Sequence, residues 1–377
     1  MKDVKVLHLA SFDGNIGDNA NHNGFYKNLR RNQDYNFGID KLEIREFYWK
    51  KRYFDDSFVF LVNKYDLLVV GGGNYFELWV DNSPTGTSIA IELDLLKEIK
   101  IPIFFNSLGV DPGQGASEKN LKKFRRFLDV LIERGDFISV RNDGAIETLS
   151  DLVGEKYLEN VIVTPDAGFF LDVNTINSYY KNKKYIAINV ASDMSDIRFN
   201  ENDGRLGYES FLTEFIKFLI VFLNKYADHE IVFVPHIFRD VSFINDILEE
   251  LDDEIRRKRI SVAPLLHGDD SFKDVMNIYD SAKLVLGSRF HANVCSYGLG
   301  TPVIGLVNYI QIENLYKDIG SDSYINISEK KFSSKLGGLV DKKLKLNLKK
   351  DFSVRDRMQS KYDVFMNKFF NWSSSRL

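Results

Sequence analysis

The sequence carries a single cysteine, Cys295, among 377 residues. An intramolecular disulfide and a cysteine-based zinc cluster are thereby excluded, and a reducing compartment suits the chain. An excess of one charge is also lacking: 50 Lys+Arg against 54 Asp+Glu leave a formal net charge of -4 and no general attraction to nucleic acid. No uninterrupted apolar run approaches the ~18 residues of a membrane-spanning helix. The first ten residues interleave charged and apolar side chains, unlike the apolar core of a signal peptide. His8, His229 and His267 show no metal-ligand spacing. The expectations are a cytoplasmic protein with no metal, no cofactor and no nucleic-acid partner.

Apolar material is ample, with 14% aromatic residues and 30 Phe. A chain of this length exceeds one ordinary hydrophobic core, which predicts two domains. Strands at 4–9, 65–70, 103–107, 137–140 and 161–163 alternate with helices at 86–99 and 117–134. A polar stretch at 174–184 reads as a linker. The alternation then restarts with strands at 185–190, 230–235, 260–262, 283–286 and 302–306 and helices at 207–226, 240–256, 271–280 and 291–299. Alternating strands and helices predict parallel βαβ units, hence an α/β fold with two domains, 1–173 and 185–345, facing a cleft. In the tail, 346–377, apolar residues Val354, Met358, Tyr362, Phe365, Met366 and Phe369 recur at helical spacing. This predicts a C-terminal helix that packs back on the first domain.

Candidate chemistry gathers where predicted strands end. Gly287-Ser288-Arg289-Phe290-His291-Ala292 places an arginine and a histidine between a buried strand and a small-residue helix, whose free N–H groups favour an anion. Arg141 closes another strand, with a salt bridge to Asp143 as its structural alternative. Asp166, in Thr-Pro-Asp, closes a third and is positioned to orient an arginine. His236 ends a strand of the second half, where a bond to backbone is its plainer role. Gly71-Gly72-Gly73-Asn74 lets backbone approach a ligand, or simply makes a tight turn. Gly14-Asn15-Ile16-Gly17-Asp18-Asn19-Ala20 lacks Gly-Lys-Ser/Thr and is no Walker loop. Asp18 and Asn19 are either helix caps or cleft residues, with Asp18 then a proton acceptor. Tyr75, Phe76, Trp79 and Phe105 read as core first and sugar-stacking surfaces second. Lys342, Lys343, Lys345, Lys349 and Lys350 read as a solvated run first and a contact for anionic headgroups second.

Taken in order, Gly-Asn-Ile-Gly-Asp-Asn-Ala, Gly-Gly-Gly-Asn, Ser-Leu-Gly-Val-Asp-Pro, Ser-Val-Arg-Asn-Asp, Thr-Pro-Asp, Val-Pro-His and Gly-Ser-Arg-Phe-His-Ala resemble the polysaccharide pyruvyl transferase family. The resemblance covers residues 5–320 or so. It implies a GT-B-like pair of Rossmann-like domains and transfer of a pyruvyl group from phosphoenolpyruvate to a sugar as a ketal. The implied partners are phosphoenolpyruvate and a glycan or lipid-linked saccharide acceptor, with peripheral contact at the inner face of the membrane. By the same resemblance Arg141 and His291 match donor-binding positions, and Ser288 and Arg289 belong to the same signature. Gly72 and Gly73 are expected on the donor side, with His291 as general acid or phosphate partner and Asp18 as the candidate base. The family pattern carries a basic residue in the loop after the strand that follows Ser-Arg-x-His, where Gln311 stands here. That departure keeps two alternatives open: a GT-B glycosyltransferase using a nucleotide sugar, and a non-catalytic glycan-assembly protein.

Overall fold

In a computed structural model the described residues are 1–113, 115–173, 180, 182–191, 198–199, 201, 204–346 and 350–377. Most of the expected linker, 174–179 and 181, and Lys349 lie outside them. The chain forms two compact units. Met1–Asp13, Gly24–Ala167 and Met358–Leu377 make the first, and Gly14–Asn23 with Gly168–Arg357 the second.

The first unit holds β1 (Lys2–Ala10), β2 (Tyr35–Glu43), β3 (Leu67–Gly71), β4 (Phe76–Glu77), β5 (Ile103–Leu108), β6 (Val110–Asp111), β7 (Phe137–Arg141) and β8 (Val161–Thr164). Six of them form a parallel sheet in the order β2-β1-β3-β5-β7-β8, and β4 pairs with β6. β3, β5 and β7 are buried throughout, as expected of strands covered on both faces. The helix at Glu118–Arg134 starts on Ser117, whose hydroxyl accepts from Asn120 N, and stops at the left-handed Gly135. Its Leu121, Phe124, Leu128 and Leu131, at spacings of three and four, are buried in the core. On the C-terminal segment, Phe369 stacks on Phe104 at 4.5 Å between centroids, while Phe365 and Trp372 pack on Phe137. Phe76 and Phe105 are core residues, and the Tyr75 hydroxyl accepts from Ser11 N at 2.7 Å.

The second unit holds β9 (Tyr185–Asn189), β10 (Glu230–Phe233), β11 (Ile260–Val262), β12 (Leu284–Gly287), β13 (Val303–Val307) and β14 (Tyr324–Asn326). They form a parallel sheet in the order β11-β10-β9-β12-β13-β14. Strand order reverses between β9 and β12 here, and between β1 and β3 in the first sheet. Open α/β sheets bind ligands outside the carboxyl ends of the strands at such points.

Several elements differ from the sequence reading. The helix expected at 86–99 is confined to Leu93–Glu98. Before it, Ser83, Thr85 and Thr87 bond to one another, and the Thr85 hydroxyl donates to Ile89 O, so side chains compete with the helical ladder. The helix expected at 240–256 is two, Phe238–Glu249 and Asp253–Arg259, parted at the extended Asp252. Edge strands β2 and β14 escaped the pattern because exposure there leaves no continuous apolar run. Helices Ile310–Asp318 and Phe332–Lys345 also went unread. Residues 14–23, expected in the first domain, group with the second unit because Ile16 and Ala20 enter its core beside Val285, Ala292 and Cys295. The C-terminal helix is Ser353–Ser374, and its residues from Met358 onward group with the first unit. Among the described residues no helix is long and apolar enough to cross a membrane.

Candidate functional site

In the second unit, β12 ends at Gly287 and a helix begins at Phe290, so Ser288 and Arg289 form the turn between them. The turn is anchored to β9: Ser288 N and Oγ donate to Asn189 O, and Arg289 N donates to Asn189 Oδ1 at 3.0 Å. Asn293 Nδ2 donates to the carbonyls of Gly287 and Arg289, and Phe290 N donates to the Tyr309 hydroxyl. These bonds fix where His291 emerges, in the first turn of its helix.

His291 meets the start of helix Ile16–Leu29. Its Nδ1 lies 3.8 Å from Asp18 Oδ1. A Cβ at Gly17 would come within 2.5 Å of both the Cβ and Nδ1 of His291, so glycine is what lets the two segments approach. Helix capping falls to Asn15 rather than Asp18: Asn15 Oδ1 accepts from Gly17 N, and its Nδ2 donates to Asp18 Oδ2 at 2.9 Å. Asp18 is thereby held as an acceptor facing an imidazole, an arrangement suited to orienting a proton-transfer histidine.

Arg289 is committed to a buried carboxylate. Its Nε donates to Asp240 Oδ2 at 2.8 Å, and a terminal nitrogen completes a forked pair. Asp240 Oδ2 also accepts from His236 N and Ile237 N, so one carboxylate ties β12's turn to the turn after β10. His236, fully buried, shares a 2.8 Å hydrogen bond with the Tyr279 hydroxyl. Burial, then the charges of Arg289 and His291, push its pKa well below the ordinary histidine value, so it stays neutral. Sequence reading missed Asp240, and its one signal was an acidic residue in the first turn of a helix. Gln311, expected in a loop, lies in the first turn of helix Ile310–Asp318. Lys317 in that helix pairs with Glu313 at 2.7 Å.

The first unit builds a separate cluster at its own carboxyl edge. Arg141 Nε donates to Asp143 Oδ2 at 3.0 Å, with a terminal nitrogen 2.8 Å from the same oxygen. Burial pushes the Asp143 carboxyl above its ordinary range against the pull of Arg141, and the Asp166 charge adds to the push. Asp166 N donates to Asn142 Oδ1. Asn74 Nδ2 donates to Asp111 Oδ2, and a Cβ on Gly109 would stand 2.2 Å from Asn74 Oδ1 and 2.5 Å from an Arg141 terminal nitrogen. Gly72 N donates to Asn106 O, and Gly73 O accepts from Gly109 N. A Cβ on Gly71 would strike Asn106 O at 2.2 Å, so this tract is close-packed backbone. Glu77, paired across β4 and β6 with Asp111, was missed by sequence reading because it sits in an aromatic stretch that reads as core. Burial raises its pKa to about 7, with the Asp111 charge adding to the rise. Among the described residues no group of three or more His, Cys, Asp and Glu is placed to hold a metal.

The sequence profile described as polysaccharide pyruvyl transferase matches residues 15–309. The chain belongs to the polysaccharide pyruvyl transferase family. Membership makes it a transferase of polysaccharide biosynthesis, with a sugar or polysaccharide acceptor. No curated protein sequence matches the chain. Among solved structures it is similar to UDP-GlcNAc 2-epimerase from Methanocaldococcus jannaschii, with TM-score 0.57 and 12% identity over 97% of this chain and 99% of that one. It is likewise similar to S. aureus MnaA in a co-structure with UDP, at 0.55 and 13% over 97% of each chain. A glycosyltransferase from Rickettsia africae ESF-5 gives 0.54 and 10% over 98% of each. At these identities the likeness is one of fold, α/β with parallel sheets of GT-B-like type. Of the sequence-derived site residues, Asp18, Gly72, Gly73, Asn74, Arg141, Asp166, His236, Ser288, Arg289 and His291 fall within the family match, and Gln311 lies just beyond it.

Proposed function

We propose that this family member transfers the pyruvyl group of phosphoenolpyruvate to two hydroxyls of a glycan-precursor sugar, forming a cyclic ketal and releasing phosphate. The observation that carries the reading is the His291–Asp18 pair at the reversal of strand order in the second sheet, where Gly17 gives the imidazole room. Protonation of the donor's methylene carbon leaves a methyl group and an oxocarbenium-like centre. One sugar hydroxyl adds to that centre and gives up its proton to a base. A second hydroxyl displaces phosphate, which leaves with the remaining proton. In this scheme His291 is the acid and Asp18 holds it oriented or serves as the base. Ser288, whose N and Oγ both donate to Asn189 O, shapes the turn that presents His291 rather than contacting the donor.

Arg141 is proposed as a donor-binding residue on the strength of the family resemblance. Arg289 acts chiefly by holding the Ser288 turn through Asp240. The proposal includes no cofactor beyond the co-substrate, and a cytoplasmic site of action. Gln311 favours one competing reading: without a cation at that position a multiply charged donor is held less strongly, and a nucleotide sugar becomes the alternative.

The test follows phosphate release from phosphoenolpyruvate and the mass of candidate glycans. Wild type is expected to yield phosphate with a pyruvylated glycan, and His291→Ala to lose about 10²- to 10⁴-fold in turnover while keeping its melting temperature. Full activity of His291→Ala would reject its role. Thermal stabilisation by nucleotide sugars and none by phosphoenolpyruvate would reject the donor.

A further inference from the structure

Opposite the His291 edge, at the amino-terminal edge of the second sheet, lies a cavity of about 590 Å³. Lys184 stands just before β9 and Lys283 just before β12, and both line it. Lys343, from the last turn of helix Phe332–Lys345, and Lys350 line it as well, together with His229 and Asp280. The basic run of the sequence thus sends two of its lysines, Lys343 and Lys350, to one concavity, while Lys342 and Lys345 lie exposed as expected of a solvated run.

Internal pairing does not use up this charge. Lys184 pairs with Asp228 at 2.7 Å and Lys350 with Asp280 at 2.7 Å. Lys283 and Lys343 have no ion-pair partner among the described residues. Two helices, Ser271–Ser281 and Phe332–Lys345, end beside the cavity, and their carbonyl termini bring roughly half a negative charge each. The lining itself carries four lysines and one carboxylate, Asp280, and so stays positive beside those helix ends, while Asp322 and Asp351 act on Lys343 from outside the lining. Burial moreover lowers the Lys343 pKa, with Asp322 and Asp351 only partly offsetting it. A bound anion would relieve that cost. The volume falls within the ~300–1,000 Å³ usual for small-ligand sites.

We infer that this cavity is a second anion site of the protein, taking a phosphoryl or diphosphoryl group through Lys283 and Lys343 with Lys184 and Lys350 behind them. The group arrives either on a soluble phosphate ester or as an anionic lipid headgroup, whose phosphate has the same chemistry. The inference does not depend on the proposed reaction, because it uses none of the residues assigned to that reaction.

The experiment titrates the full-length protein calorimetrically with pyrophosphate, and in parallel co-sediments it with phosphatidylglycerol and with phosphatidylcholine vesicles. It compares wild type, the Lys283→Gln/Lys343→Gln double variant and His291→Ala. A soluble source predicts pyrophosphate binding weakened about tenfold or more in the double variant and retained in His291→Ala. A headgroup source predicts binding to phosphatidylglycerol but not phosphatidylcholine vesicles, lost in the double variant. Binding to neither probe, or binding that the double variant leaves unchanged, overturns the inference. Melting curves establish that the double variant is folded, and Lys283→Glu, a change at an exposed position, supplies a second variant expected to weaken binding further. Pyrophosphate binding lost only in His291→Ala would place the anion in the other cluster and likewise overturn the inference.

Discussion

Each unit places an arginine at or just past the carboxyl end of an inner strand, and each arginine meets a buried aspartate, but the two pairs are made differently. Arg141 finds Asp143 two residues along the same turn. Arg289 reaches Asp240, 49 residues away on another element, and that carboxylate also holds the backbone N–H groups of His236 and Ile237. The local pair orients one side chain. The distant pair joins two turns and sets the position of the segment carrying His291. Chain distance thus decides whether an ion pair tunes a residue or builds the framework around it.

Substituting the two aspartates measures that difference. Asp240→Asn is expected to lower stability by about 3–5 kcal/mol, because it leaves a largely buried guanidinium without its charge partner. For Asp143→Asn about half as much is expected, since the desolvation that raises the Asp143 pKa already offsets part of the attraction. Urea unfolding with a constant m-value reads both. A loss at Asp143 equal to that at Asp240 would break the comparison. Asp240→Asn is also expected to lower turnover in protein that remains folded, because the turn keeps its bonds to Asn189 but loses the tie through Arg289 to the turn after β10.

The glycines sharpen the contrast at smaller amplitude. Gly17→Ala drives a Cβ into the Cβ of His291, which is fixed to its helix, so backbone must shift. Gly109→Ala meets only the tips of Asn74 and Arg141, which can yield. The expected cost is about 2–3 kcal/mol for the first and about 1 kcal/mol for the second. Turnover should fall more steeply in Gly17→Ala, and a reversed order would show that the Arg141 tip is held more rigidly than the His291 stem.

The same distinction between local and distant contacts explains what could be read in the sequence. Strand ends carrying Arg141, Asp166, His236 and Arg289 were visible because buried parallel strands are continuous apolar runs, and their ends are marked by polar residues. The Arg141–Asp143 pair was also visible, two residues apart. Asp240 was not, because nothing local in Phe238–Glu249 announces a partner beyond β12. The place of Gly14–Asn23 was missed for a related reason: Ile16 and Ala20 are too few to reveal which core they enter. Glu77 was hidden by its aromatic neighbours, and Gln311 was read as loop because helix Ile310–Asp318 has a weakly marked start. His8 gave no ligand spacing, and its role is structural: it bonds the Tyr26 hydroxyl and the Gly71 carbonyl, helping to fix the glycine turn after β3.

The smallest expected effect concerns pH, and the two units should respond with opposite sign. Glu77 in the first unit has a folded pKa of about 7 against 4.5 for the free group. Between those values the folded state binds more protons than the unfolded one, so stability falls as pH rises from about 4.5 through 7. His236 in the second unit has a folded pKa well below 6.5. Below that value the unfolded state binds more protons, so stability is lost as pH falls from 6.5. Glu77→Gln should therefore gain stability relative to wild type as pH rises from 5 to 8, by about 1 kcal/mol once partial exposure is allowed for. His236→Gln should flatten the acid limb below pH 6.5. Urea midpoints at pH 5, 6, 7 and 8 for wild type and both variants give the two slopes separately. Slopes of the same sign would mean that one of these groups is not buried in the protonation state its surroundings dictate.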